Sequence, residues 1–219
     1  MELNQVLADR WSCRAFLADE VPEQTLTEVF ATAQQTASWC NTQPWQVHVV
    51  TGEATPLLAK GLLEHVATQP SVSDLPMPDR YVGSARERRR EAGFALYSAL
   101  GIAREDMEAR GEQMLKNFSF FGAPHVAIVT TDQHLGLYGA VDCGGYVTNL
   151  LNAAHERGVA SVAQAAIAMY SDHVRRFLDL PEDRSVLCAV SLGWPDPDHP
   201  ANRFRTSRAD LGDVVTIVR

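Results

Sequence analysis

The sequence predicts an α+β fold in a single domain, and three observations carry that prediction. Strand-like and helix-like stretches are interleaved along 219 residues, with helices in the majority. No internal repeat or low-complexity tract breaks the series. Hydrophobic residues make up 46% of the chain against 21% charged, which is enough to build one core.

The elements follow in order. Residues 2–9 place Leu3, Val6 and Leu7 on one side of a short helix. DRWSCRAFLADEVP then reads as a loop. Pro22 suits a first helical position, and Leu26, Val29, Phe30, Ala33 and Ala37 recur at the spacing of a helix facing a core. That helix runs out over 38–44. WQVHVVTG reads as a strand ended by Gly52. Residues 54–68 are helical, and the proline-rich stretch 69–82 is a loop. Helices over 84–101, with Ala92, Leu96 and Leu100 on one stripe, and over 104–116 complete a helical excursion at about 69–118. HVAIVTT (125–131) is a strand. Residues 136–158 form the clearest helix, with Val141, Val147, Leu150, Leu151 and Ala154 apolar and Gly158 just past its end. Gly144 and Gly145 inside it cost roughly 1 kcal/mol each relative to alanine and predict the close approach of another helix. VASVAQA, SVLCAVSLGW and the C-terminal VVTIV are further strand candidates.

The net charge is −8, so the chain has no general attraction for nucleic acid. No apolar run approaches the ~20 residues of a spanning helix. The opening residues lack the charged and apolar regions of a signal peptide. Four cysteines stand without a CxxC pair or zinc spacing, which points to free thiols, no metal and a reducing cytoplasm.

Three stretches carry candidate chemistry. In RWSCR, the residues Arg10, Ser12 and Arg14 alternate, so in an extended segment all three point the same way. Two guanidiniums and a hydroxyl on one face suit a phosphate; on spacing alone a solvated arginine loop is equally open. In NRFRTSR, the residues Arg203, Arg205 and Arg208 can close the other side of an anion site, or form a surface patch balanced by Asp210 and Asp213. In SWCNTQPW, Asn41 and Gln43 offer donors and acceptors to the edge of a flat heterocycle, or simply cap a turn. His48, His125 and His173 stand alone in apolar surroundings and read as packed, as do Cys13 and Cys40.

Taken together, RWSCRAF, then SWCNTQPWQVHVVTG, then VAQAAIAMY and SLGWPD before the arginine-rich tail resemble the FMN-dependent nitroreductase family. The stretch from Arg80 through NFSFFGAPH is most similar to its nitrobenzoate and nitroaromatic branch. The resemblance implies a mixed sheet flanked by helices in an interlocked homodimer, with FMN at the interface. It also implies NADPH or NADH as reductant, a small aromatic substrate, and ping-pong reduction of nitro to nitroso to hydroxylamine. Arg10, Ser12, Arg205 and Arg208 would then hold the FMN phosphate end. Arg14 would reach the ring's pyrimidine edge and stabilise its negative charge, with no side-chain acid or base required. Ser38, Asn41 and Gln43 would come from the partner subunit, and Gln164 and Ala165 would lie over the flavin. Trp39, Tyr81, Phe118 and Phe120 would be the candidates to line the substrate pocket. Ala37 and Trp39 depart from the proline and glycine common in the family. A flavin reductase of the same fold, a non-catalytic FMN-binding protein and a sugar-phosphate-binding regulator are the competing readings.

Overall fold

A computed structural model describes residues 1–219. Seven helices surround one sheet: α1 (Leu3–Asp9), α2 (Glu23–Ala33), β1 (Trp45–Val50), α3 (Ala54–Thr68), α4 (Gly83–Ala99), α5 (Met107–Leu115), β2 (His125–Asp132), α6 (Gly136–Glu156), β3 (Ala160–Gln164), α7 (Ser171–Leu178) and β4 (Arg184–Gly193). The sheet order is β1-β2-β4-β3, with every neighbouring pair antiparallel. Parallel contact is limited to isolated bridges, one of which joins Ser12 to Ser161 on β3.

The sheet is buried on both faces, and its alternation divides the core in two. From β2, Ala127 and Val129 join Leu26, Val29 and Leu150 beneath α2 and α6. Val126 and Ile128 instead join Leu58, Leu62 and Val174 beneath α3 and α7. Each fully buried aliphatic chain of this kind contributes about 1.5–3 kcal/mol. A bulge between Val129 and Thr130 shifts the β2–β4 register.

The expected helices form, with adjusted ends. Pro22 is the N-cap of α2 rather than its first residue, and Ala37 lies beyond the helix. Asp106 caps α5 by accepting from the Ala109 N–H at 2.9 Å, so residues 104–106 stay outside it. Gly158 follows α6 with φ 74°, as the sequence predicts. Within the chain, no helix closely approaches the two glycines of α6. A Cβ at Gly144 would meet nothing within 4 Å, and one at Gly145 would touch Thr36 at an ordinary 3.5 Å. Gly139 is the tight position, where a Cβ would lie 2.8 Å from Thr131 Oγ1. The run VVTIV is not a strand. It has no pairing partner within the chain, and Val214, Val215, Ile217 and Val218 are exposed.

The excursion is anchored at its start by Asp74. Its carboxylate accepts from Ser171 Oγ at 2.9 Å, from Arg175 at 2.8 Å and from the Val186 N–H at 2.8 Å, tying the loop to α7 and β4. Helix α4 itself buries no residue.

The histidines are packed. His125 Nε2 accepts from the Val21 N–H at 2.9 Å. His173 lies against Gly61, where a Cβ would come within 2.7 Å of its Nε2. Burial pushes His48, His125, His155 and His173 below their ordinary value of 6.5. The unfolded chain therefore binds protons below pH 6.5 that the folded chain refuses, and stability is lost as pH falls from 6.5 toward the lowered values. The denaturant midpoint should drop between about pH 7.5 and about pH 5.5. His125→Gln, whose amide oxygen can take the same N–H, should flatten part of that slope. A midpoint that rises on acidification would contradict this.

Candidate functional site

Residues 12–17 are tied to β3 and to the stretch 194–196 by isolated backbone bridges, Ser12 to Ser161 and Phe16 to Pro195. Cys13 N–H donates to Ser161 O at 3.0 Å, Leu17 N–H to Trp194 O at 2.9 Å, and Asp196 N–H to Ala15 O at 3.0 Å. Alternation follows: Cys13 and Ala15 point into the core, while Ser12 and Arg14 are turned outward and remain partly exposed. Burial pushes the Cys13 thiol up to about 11, so it is an inert packing residue.

The outward side chains line a cavity of about 730 Å³ together with the C-terminal arginines. Arg10, Ser12, Arg14, Arg205 and Arg208 all belong to its wall. Not one of these guanidiniums is ion-paired with a carboxylate. Arg14 donates to Ser12 O at 3.1 Å and lies 5.5 Å from the Phe204 ring. Arg205 sits 4.5 Å over the Trp11 ring. Burial, and then the charge of Arg208, lower the pKa of Arg10; burial lowers that of Arg14. Like charges concentrated without counter-charges make a site for an anion. Arg203 turns away and bonds Asp198 O at 2.8 Å.

The sequence reading missed several members of this site. Trp11 and His155 line the cavity, and Trp11 Nε1 is buried without a partner. Asn202 holds the loop in place. Its Oδ1 accepts from the Arg14 N–H at 2.8 Å, and its Nδ2 donates to Ala15 O and Asp196 O, both at 2.8 Å. Asn202 and Phe204 stood within NRFRTSR, where only the arginines drew notice.

Ser38, Asn41 and Gln43 come together, but away from the arginine cavity. Ser38 Oγ accepts from the Gln43 N–H at 2.9 Å, and Gln43 Nε2 reaches Asn41 Oδ1 at 3.2 Å. Gln34 extends the relay, donating to Gln43 Oε1 and accepting from Trp45 Nε1, both at 3.0 Å. Cys40, Asn41 and Gln43 all hold positive φ, at 51°, 55° and 45°. Non-glycine residues in that region cost on the order of 1–3 kcal/mol each, and such strain gathers at functional loops.

The remaining candidate residues lie elsewhere. The Gln164 side chain is buried, donating to Asn117 O at 2.8 Å and accepting from Ser191 Oγ. Ala165 is exposed just beyond β3. Phe118 and Phe120 are expected at the substrate pocket, and Phe120 borders a cavity of about 690 Å³ beside α3. Both are core residues, 2% and 0% exposed. Phe121 is buried too, because apolar rings packed under α3 lose less by burial than by facing water. Tyr81 is exposed beneath Arg89, with 4.9 Å from the guanidinium carbon to the ring centre. Trp39 is 62% exposed and packs on Tyr138 at 4.7 Å between ring centres.

With this geometry established, residues 7–194 match the family model described as Nitroreductase family. This chain belongs to the nitroreductase family. It is 36% identical over 216 residues to nitroreductase NfnB of Mycolicibacterium smegmatis, covering 98% of this chain and 92% of that protein. It is 32% identical to a 4-nitrobenzoate reductase of Pseudomonas putida, covering 94% and 91%. The crystal structure of FMN-dependent NfnB from Mycobacterium smegmatis in complex with NADPH superposes with a TM-score of 0.94, over 99% of this chain and 97% of that one.

For this nitroreductase, Asn202 is the positioning residue most open to test. Asn202→Ala removes the partner of the Arg14 N–H and of Asp196 O, while Ala15 O keeps the Asp196 N–H, at a cost of about 1–3 kcal/mol. The expected result is a lower melting temperature together with weaker binding of inorganic phosphate. An unchanged melting temperature would show that Asn202 does not hold the loop.

Proposed function

We propose that this chain is an FMN-dependent oxidoreductase that uses NADPH or NADH to reduce nitroaromatic compounds. The observation that carries the proposal is the single cavity gathering Arg10, Ser12, Arg14, Arg205 and Arg208 with no carboxylate paired to any of them. The donor set fits a phosphomonoester, which carries about −1.5 to −2 charges, and the orphaned Trp11 Nε1–H fits a ligand acceptor. The names of its relatives, among them nitroreductase and 4-nitrobenzoate reductase, support the same chemistry.

Bound FMN would supply two-electron redox chemistry in a ping-pong cycle, with NADPH or NADH as the reductant and the nitro group, then its nitroso product, as the acceptor. The chain's own contribution is binding and electrostatics. Arg10, Ser12, Arg205 and Arg208 hold the phosphate end. Arg14, held by Asn202 and partly desolvated, sets a fixed positive charge where negative charge develops on reduction. No side-chain acid or base is assigned, and the proton comes from water.

The proposed assembly is a homodimer in the cytoplasm. Ser38, Asn41 and Gln43 of the partner subunit would complete the site, with Ala165 at its edge. Support comes from the distance of those amides from their own chain's cavity and from the exposed apolar residues Val214, Ile217 and Val218. Exposed Tyr138 and Val141 on α6 add to that surface. Trp39 and Tyr81 stay as the substrate-facing candidates.

The visible spectrum of the purified protein tests the proposal, taken before and after NADPH or NADH is added without oxygen. Oxidised-flavin bands that bleach are the expected result. Bands that persist would mark a non-catalytic FMN-binding protein, and a colourless protein that takes up no FMN would end the flavin reading. Arg14→Ala should weaken FMN binding by roughly ten- to hundredfold and slow reduction. Affinity and rate equal to wild type would remove its role.

A further inference from the structure

A second cavity, of about 820 Å³, adjoins the first and shares Arg205, Thr206 and Arg208 with it. Its other wall is α4, which brings Arg88 and Arg89. The tail and the helix are tied together by Ser207 Oγ donating to Glu91 Oε1 at 2.8 Å. That bond engages Glu91, the one glutamate of the cavity wall. Asp210 and Asp213 also line this cavity, yet neither forms an ion pair with any of its arginines. Arg88 has no hydrogen-bonded or ionic partner, and Arg89 is positioned by its stack on Tyr81. The two cavities together hold more guanidinium groups than one phosphate needs.

We propose that Arg88 and Arg89 bind the 2′-phosphate of NADPH and so make this enzyme prefer NADPH over NADH. The inference rests on the flavin reading above, in which the shared arginines Arg205 and Arg208 face the FMN phosphate. An anion site just beyond that end suits a long reductant with a phosphate at its far, adenosine end. A small aromatic acid, whose carboxylate is one ring away from its nitro group, is too short to use both regions. The chain carries −8 overall and repels such a reductant in general. A local row of arginines reverses the field where the dinucleotide lands.

The test titrates the FMN-loaded protein with adenosine 2′,5′-bisphosphate and with adenosine 5′-monophosphate, by calorimetry. The bisphosphate should bind at least about tenfold more tightly to wild type, a margin fitting one charge-assisted contact pair. The double variant Arg88→Ala/Arg89→Ala should lose most of that margin, and Arg88→Lys/Arg89→Lys should restore part of it. The ratio of kcat/KM for NADPH to that for NADH should fall by roughly ten- to hundredfold in the alanine variant. Both side chains are exposed, so the fold does not depend on them. Equal binding of the two nucleotides to wild type overturns the proposal, as does a preference that survives the double substitution. Equal losses with NADPH and NADH overturn it in favour of general attraction. Selective loss of 4-nitrobenzoate turnover, with the bisphosphate preference kept, overturns it in favour of a substrate carboxylate. A preparation that takes up no FMN refutes the flavin reading instead; the same titration on that colourless protein still decides the role of Arg88 and Arg89.

Discussion

The site depends on the backbone hydrogen bonds that tie residues 12–17 to β3 and to residues 194–196. Once Cys13 N–H is bonded to Ser161 O and Ala15 O accepts from Asp196 and Asn202, the segment is extended and its side chains must alternate. Cys13 and Ala15 fill the core, and Ser12 and Arg14 are turned toward the cavity as a consequence. A register slip of one residue would bury Arg14 without a counter-ion and expose Cys13. The arrangement of the arginines is therefore set by the packing of small residues between them.

That constraint has an electrostatic cost. Burial, and then the charge of Arg208, lower the preference of Arg10 for its charged state. Nothing acidic in the cavity relieves the repulsion through an ion pair, although Asp9 stands on its rim beside Gln5. Aromatic faces take part of the load instead: Phe204 under Arg14 and Trp11 under Arg205. The same device recurs on the excursion, where Arg90 and Arg104 flank Phe94 and Arg110 lies over Tyr97. Guanidiniums held by rings keep their hydrogen-bond donors free for an anionic ligand, which guanidiniums held by carboxylates do not.

Features that depend on local periodicity were legible in the sequence. The alternation of RWSCR, the amphipathic spacing of α2 and α6 and the apolar run of β2 each follow from neighbours along the chain. The arginine cavity was legible too, because the two arginine stretches shared one residue type and one purpose. The sheet order was not, since strand pairing joins residues far apart and leaves no local signature. The partners of Gln164 were not legible, because polar side chains on a buried strand look alike in sequence whether they face a ligand or Ser191 and Asn117. Nor was the burial of Phe118 and Phe120: positive φ at Phe120 and Phe121 coils the segment so that all three rings face inward, and no propensity announces that turn.

The loop at 38–43 carries strain that its own contacts do not explain. Three non-glycine residues in the left-handed region are held by a relay from Trp45 through Gln34 to Gln43 and Asn41. A turn between α2 and β1 needs no such strain, because glycine or a longer loop would make the connection at lower free energy. What the strain achieves is a fixed presentation of Asn41 and Gln43 at the surface, away from the arginine cavity of the same chain. In the proposed homodimer, a ligand that used both features would lie between two copies. On that view the exposed apolar tail, the bare outer face of α6 and the strained amide loop are three parts of one requirement, that the single chain is half of a site.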